Sequence, residues 1–165
     1  MKRNPKASAL RSTFEATPEG KLRITLSGGL DESADLDGLF ARIDRACILN
    51  LRGVERVNSM GVHNWLVAIS KVSSKHRLVV EEISYGLVQN AIAVTNLFGS
   101  ADVVSCLAPY ACARCDAHVV LTVRREEVFA AGGGPPTRQC ERCGSNMEFE
   151  EIDGYFSFFR PPRSV

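Results

Sequence analysis

The sequence predicts an α/β protein: a mixed β-sheet with helices mainly on one face, followed by a small cysteine-bearing β piece. Short β-branched runs alternate with helical stripes between residues 11 and 107. One of those runs, around Cys47–Ile48–Leu49 and Leu51, is apolar without alternation, as in a strand buried on both faces in the middle of a parallel sheet. Beyond Pro109 the composition turns to glycine, proline, cysteine and aromatic residues. That shift places a domain boundary at 108–111. The expected organisation is a polar, disordered terminus at 1–9, an α/β domain at 10–108 and a second piece at 109–165.

Residues 11–16 and 21–29 read as strands around the turn signal Pro18–Glu19–Gly20. Leu22, Ile24 and Leu26 alternate with Lys21, Arg23 and Thr25, so the second strand has one buried and one wet face, and Gly28–Gly29 breaks it. Residues 31–45 carry acidic groups first and arginines last, which suits a helix dipole, with Leu36, Leu39, Phe40 and Ile43 as the apolar face. After the central strand, Gly53 ends the run and a short polar turn leads to Asn58 and Ser59. Val62, Leu66, Ile69 and Val72 then recur at helical spacing beside Trp65, and Asn58 or Ser59 caps the helix by accepting an orphan N–H. A strand at 77–83, a helix over 87–98 stopped by Gly99 and a strand at 101–107 complete the first domain.

The second piece contains Cys112-Ala-Arg-Cys115 and Cys140-Glu-Arg-Cys143-Gly144, with 24 residues between the pairs. Each pair folds as a tight knuckle with both sulfurs inward, and two knuckles supply four thiolates to one tetrahedral ion. A strand at 118–123, a loop at 130–136 and a hairpin of 147–152 with 155–159 around Asp153–Gly154 complete a segment that resembles a zinc ribbon. One structural zinc per chain is expected, held by Cys112, Cys115, Cys140 and Cys143. A piece of ~55 residues has little core of its own, so metal supplies much of its folding energy. Arg114 and Arg142 are placed to offset part of the site's negative charge. Redox-active pairs are the alternative, disfavoured because neither pair follows a strand in a thioredoxin-like unit. His118 is a spare ligand, and Cys47 and Cys106 read as small core residues.

The stretch Leu51-Arg-Gly-Val-Glu-Arg-Val-Asn-Ser-Met-Gly-Val-His-Asn-Trp65 resembles the signature of STAS domains, the sulphate-transporter and anti-sigma-factor-antagonist fold. Gly53, Val54, Ser59 and Gly61 carry the likeness, and Ser27-Gly-Gly-Leu-Asp31 resembles the family's S-G-x-L-D before the first helix. The resemblance spans roughly residues 10–108 in order of elements. It implies a STAS-like sheet and a bacterial partner-switching role, with an anti-sigma factor of histidine-kinase-like fold or another signalling protein as partner. In that family the second hydroxyl of D-S-S-G or D-S-T-G is phosphorylated. Aligning Gly61 with the motif glycine puts Met60 at that position, Ser59 at the first serine and Asn58 at the aspartate, so the switch is lost or moved to Ser59. What remains is a surface of Asn58, Ser59, Met60, Gly61 and His63 at a helix start, where an exposed methionine suits an apolar partner contact.

Composition excludes several classes. At 45% hydrophobic and 24% charged the chain is an ordinary globular protein, and its net charge of +1 gives no pull toward nucleic acid or acidic lipid. No apolar run approaches the roughly 20 residues of a membrane span, and the basic first residues lack an apolar signal core, so a cytoplasmic location is expected. No catalytic constellation is present, Glu81–Glu82 reads as a solvated strand end, and the expected function is a non-enzymatic adaptor. The competing reading is a ribbon that binds nucleic acid or a transcription complex. Residues 110–165 hold seven arginines, no lysine and eight acidic residues, which argues against phosphate binding. Homo-oligomerisation is left open.

Overall fold

The computed structural model describes residues 9–162. β1 (Arg11–Ala16) and β2 (Leu22–Leu30) form an antiparallel hairpin. Then follow α1 (Leu36–Phe40), β3 (Cys47–Val57), α2 (Ser59–Ser73), β4 (Leu78–Glu81), α3 (Tyr85–Ala93) and β5 (Asp102–Val103). β2, β3, β4 and β5 run parallel in that spatial order, with β1 on the outer edge. Each of the three crossovers steps the same way across the sheet. The right-handed rule for such connections therefore puts α1, α2 and α3 on one face. The chain continues as β6 (Ser105–Cys112), β7 (Ala117–Arg124), α4 (Arg125–Ala130), β8 (Arg138–Gln139) and β9 (Asn146–Phe149). These strands make a second, antiparallel sheet in the order β7-β6-β9-β8.

Burial follows the side-chain alternation of the strands. Cys47, Leu49 and Leu51 of β3 point to the helices and are buried. Ile48 on the opposite face is only half-buried, so the central strand is not dry on both sides as its apolar run predicts. Its neighbour Asn50 lies on that second face and donates to Glu81 and Glu82. Trp65 packs against Phe40 and donates its indole N–H to the Leu97 carbonyl at 3.1 Å.

Glycines that read as strand breakers lie inside strands instead. β3 runs through Gly53, whose Cβ would stand 2.7 Å from the Ser27 Cβ of β2. β2 runs through Gly28, which sits at φ +98° beside a register shift. The helix expected over 31–45 shrinks to α1, because the acidic side chains turn the backbone locally. Asp31 accepts from the Ser33 N–H and hydroxyl, and Asp35 caps α1 through the Gly38 N–H. α3 starts earlier than expected, capped by Ser84, and ends at Ala93, before the left-handed residues Asn96 and Gly99.

The two sheets are joined by the chain itself. β6 bridges in parallel to Ile83, just beyond β4, with Ile83 donating to Ser105 and accepting from Leu107. Residues 108–111, where composition shifts, lie inside β6. The predicted hairpin around Asp153–Gly154 does not form: β9 pairs with β6 and β8 instead. The following residues make turns that drive Tyr155, Phe156 and Phe159 into the main core. Their spacing puts all three on one side of a turn, which a strand would split between two faces. Phe149 stacks on Phe156 and meets Tyr155 edge-on. The Tyr155 hydroxyl donates to the Leu107 carbonyl at 2.7 Å. One continuous cluster of buried side chains runs from Ile24 to Phe159.

Candidate metal centre and helix-start loop

The four cysteines are placed by two hairpins. Cys112 is the last residue of β6, and its knuckle is the turn into β7. Cys140 follows β8, and its knuckle leads into β9. The knuckles share one backbone pattern. The residue after each second cysteine is left-handed, Asp116 at φ +54° and Gly144 at φ +74°. Its N–H donates to the first cysteine's carbonyl, at 2.9 Å for Asp116 to Cys112 and 2.7 Å for Gly144 to Cys140. β6 pairs with β9, which carries one knuckle to the other.

All four Sγ atoms lie within 4.8 Å of one another. Cys112 and Cys143, and Cys115 and Cys140, stand 3.5 Å apart and join one knuckle to the other. A disulfide needs about 2.05 Å, so these are free thiols. Sulfurs on a tetrahedral ion with bonds of about 2.3 Å stand about 3.8 Å apart, within the range seen here. The site is thus a four-sulfur cluster able to hold a metal ion with no protein position left open. Backbone N–H groups aim at the second pair: the Ser145 amide and hydroxyl hold Cys143 down to about 6, and the Arg142 amide lowers Cys140. Cys115 is pushed up to about 12, chiefly because its thiol donates to Cys140. Cys47 and Cys106 are buried in the main core and raised to about 11 and about 12 by that burial, so they stay protonated packing residues. His118 sits on the exposed side of β7, with Nδ1 3.2 Å from Glu150, and is not in the cluster. Arg114 and Arg142 are exposed on the knuckles.

The helix-start loop is fixed from three sides. Asn58 caps α2: its side-chain oxygen accepts from the Gly61 N–H at 2.8 Å, and its amide donates to Glu32 at 2.7 Å. Its backbone N–H donates to the Leu30 carbonyl at 3.1 Å. Gly61 sits so close to the end of β2 that a Cβ would stand 2.0 Å from the Leu30 oxygen. Asn58 fills the cap, so Ser59 is left as an exposed first helical residue with the Glu32 carboxylate beside the loop. Met60, His63 and Val67 are exposed along one face of α2, whereas Val62, Trp65, Ile69 and Val72 turn inward and Leu66 is half-buried between the two.

A polar cluster that the sequence reading missed lies where the sheets meet. Glu82, at φ +49°, accepts from Asn50 at 2.9 Å, from Arg52 at 2.8 Å and from Thr122 of β7 at 3.0 Å. Glu81 pairs with Arg23 at 3.0 Å. Neither glutamate is a solvated strand end. Burial alone would raise Glu82, but the hydrogen bonds from Asn50 and Thr122 and the Arg52 charge outweigh it and hold the carboxyl below its usual value. The available signal was Asn50, a polar residue within the apolar run of residues 47–51.

No protein-family model matches the chain, and no curated protein is similar to it. Membership of the STAS family is therefore not shown. The likeness rests on the loop around Gly61 and on the order of elements.

Proposed function

We propose that this chain is a non-enzymatic docking module whose partner is a protein bound at the start of α2, with one structural zinc in the four-cysteine cluster. The observation that carries the reading is the outward face of α2. Met60 and Val67 are each 54% exposed, two turns apart on the same side, with His63 between them. Apolar side chains spaced this way suit the apolar surface of another helix or groove. The loop that presents them is held rigid by the Asn58 cap and the Gly61 contact, so little ordering cost falls on binding. The STAS resemblance makes a histidine-kinase-like anti-sigma factor the first partner class to test, in a cytoplasmic signalling role. Ser59 is the available hydroxyl, but the neighbouring Glu32 carboxylate opposes added phosphate charge, which favours a module that has dropped the switch. Zinc is favoured over other ions by four thiolates with tetrahedral spacing.

The ribbon-centred alternative loses support at its aromatic residues. Tyr155, Phe156 and Phe159 are buried among one another and cannot stack bases.

The test compares tagged wild-type chain with Met60→Asp, captured from native cells. The expected result is a protein partner retained by the wild type and lost from the variant, while both unfold at the same temperature. A partner held equally by both would move the docking surface elsewhere. Mass spectrometry of the peptide carrying Ser59 decides whether that hydroxyl is modified.

A further inference from the structure

We infer that the free edge of β7 is a self-complementary surface, and that two copies of this chain pair there antiparallel about a two-fold axis centred on Val120. Sheet edges are usually protected by being short or charged. Among the described residues, β5 and β8 are two-residue edges and β1 is a charged one with Arg11 and Glu15, whereas β7 is an eight-residue edge that exposes Val119 and Val120.

The backbone register says which groups are available. Arg125 donates to the Val104 carbonyl at 2.9 Å, so hydrogen-bonded pairs to β6 recur at every second residue back from it. Ala117, Val119, Leu121 and Val123 thus turn their backbone groups to β6, and His118, Val120, Thr122 and Arg124 turn theirs outward. The far end of this edge is already occupied: the Arg124 N–H donates to Glu127 at 2.8 Å, and the Thr122 carbonyl accepts weakly from Arg138 at 3.5 Å. The open groups are those of His118 and Val120 and the Thr122 N–H.

A two-fold through Val120 uses that open stretch. It sets Val120 against its own copy and His118 against Thr122, both pairs made of residues whose backbone groups face outward. Asp116 lies one residue before β7, in the left-handed knuckle turn, and the same rotation brings it to the neighbourhood of Arg124 at both ends. The Asp116 side chain, 3.6 Å from His118 Nε2 of its own chain, is fully exposed and Arg124 is exposed, so opposite charges meet twice while the two Val120 side chains meet in the middle. This complementarity under a single rotation is what favours a second copy over an unrelated strand. The surface is separate from α2, so it stands or falls independently of the proposed partner.

Sedimentation equilibrium on the full metal-loaded chain tests it, with metal content and circular dichroism confirming that each variant is folded. The wild type is expected to be a dimer whose Val120 amide exchanges slowly with solvent. Val120→Lys is expected to be monomeric with a fast-exchanging amide at residue 120. Arg124→Glu is expected to raise the dimer dissociation constant by about tenfold or more, with recovery in Asp116→Lys/Arg124→Glu. A monomeric wild type overturns the inference. So does a dimer that Val120→Lys and Arg124→Glu leave unchanged.

Discussion

Gly61 shows how much one missing side chain can decide. The start of α2 touches the end of β2 so closely that any Cβ would overlap the Leu30 carbonyl. Gly61→Ala must push the helix away and strain the Asn58 cap that binds the Gly61 N–H. The expected cost is about 2–3 kcal/mol in urea unfolding, the range for overpacking a close contact. Glu82 is the other decisive residue. Its carboxyl is held below its usual value in the folded chain by groups from β3 and β7. A carboxyl lowered on folding adds stability above the unfolded value near 4.5, and that stability is lost as pH falls through the folded value. Acid unfolding of the wild type should therefore steepen below about pH 4.5. Glu82→Gln should flatten that limb and lower stability at neutral pH, measured as denaturant midpoint against pH.

At the scale of elements, the two knuckles are hairpin turns brought together by the β6–β9 pairing, and their four free thiols have no covalent tie of the kind a metal would supply. Purified protein should carry about one zinc per chain, the ratio for a four-thiolate site. Cys112→Ser and Cys140→Ser should each lose that metal and unfold at lower temperature, read by metal analysis and calorimetry. Retention of full metal and full stability in both would remove the cluster's structural role. Met147 packs beside the cluster and against the main core, so the loss should be felt in both.

Across the whole molecule, β6 carries the chain from one sheet into the other, and Tyr155 returns from the far end to bond Leu107. Trp65, the single tryptophan, is buried among α1, α2 and the 97–99 turn, far along the chain from the cysteines. A continuous core couples them, so chelating the metal should lower the denaturant midpoint reported by Trp65 fluorescence. An unmoved Trp65 transition alongside lost metal would mean that the two sheets unfold independently.

The sequence by itself determined the local chemistry. The α/β class, a cap at Asn58 or Ser59, the inward stripe of α2 and the two C-x-x-C pairs were legible because each depends on residues a few positions apart. The tertiary structure decided the rest. Gly28 and Gly53 look like strand breakers until the neighbouring strand shows that Gly53 allows a close approach and Gly28 a left-handed residue at a register shift. Asp31 and Asp35 look like the charged start of a long helix until their side chains are seen capping turns. α4 carries no apolar stripe long enough to announce it, and forms after β7 with Glu127 folded back onto the Arg124 N–H. Residues 155–159 are aromatic enough to read as a strand, and the turn shows only in the core that Tyr155, Phe156 and Phe159 enter. The Asp31, Asp35 and Glu127 bonds are local but leave no mark on the hydrophobic pattern. For the glycines and the aromatic residues the deciding partner lies outside the local window: a close approach, a register or a shared core is a property of two distant segments, and neither segment encodes it alone.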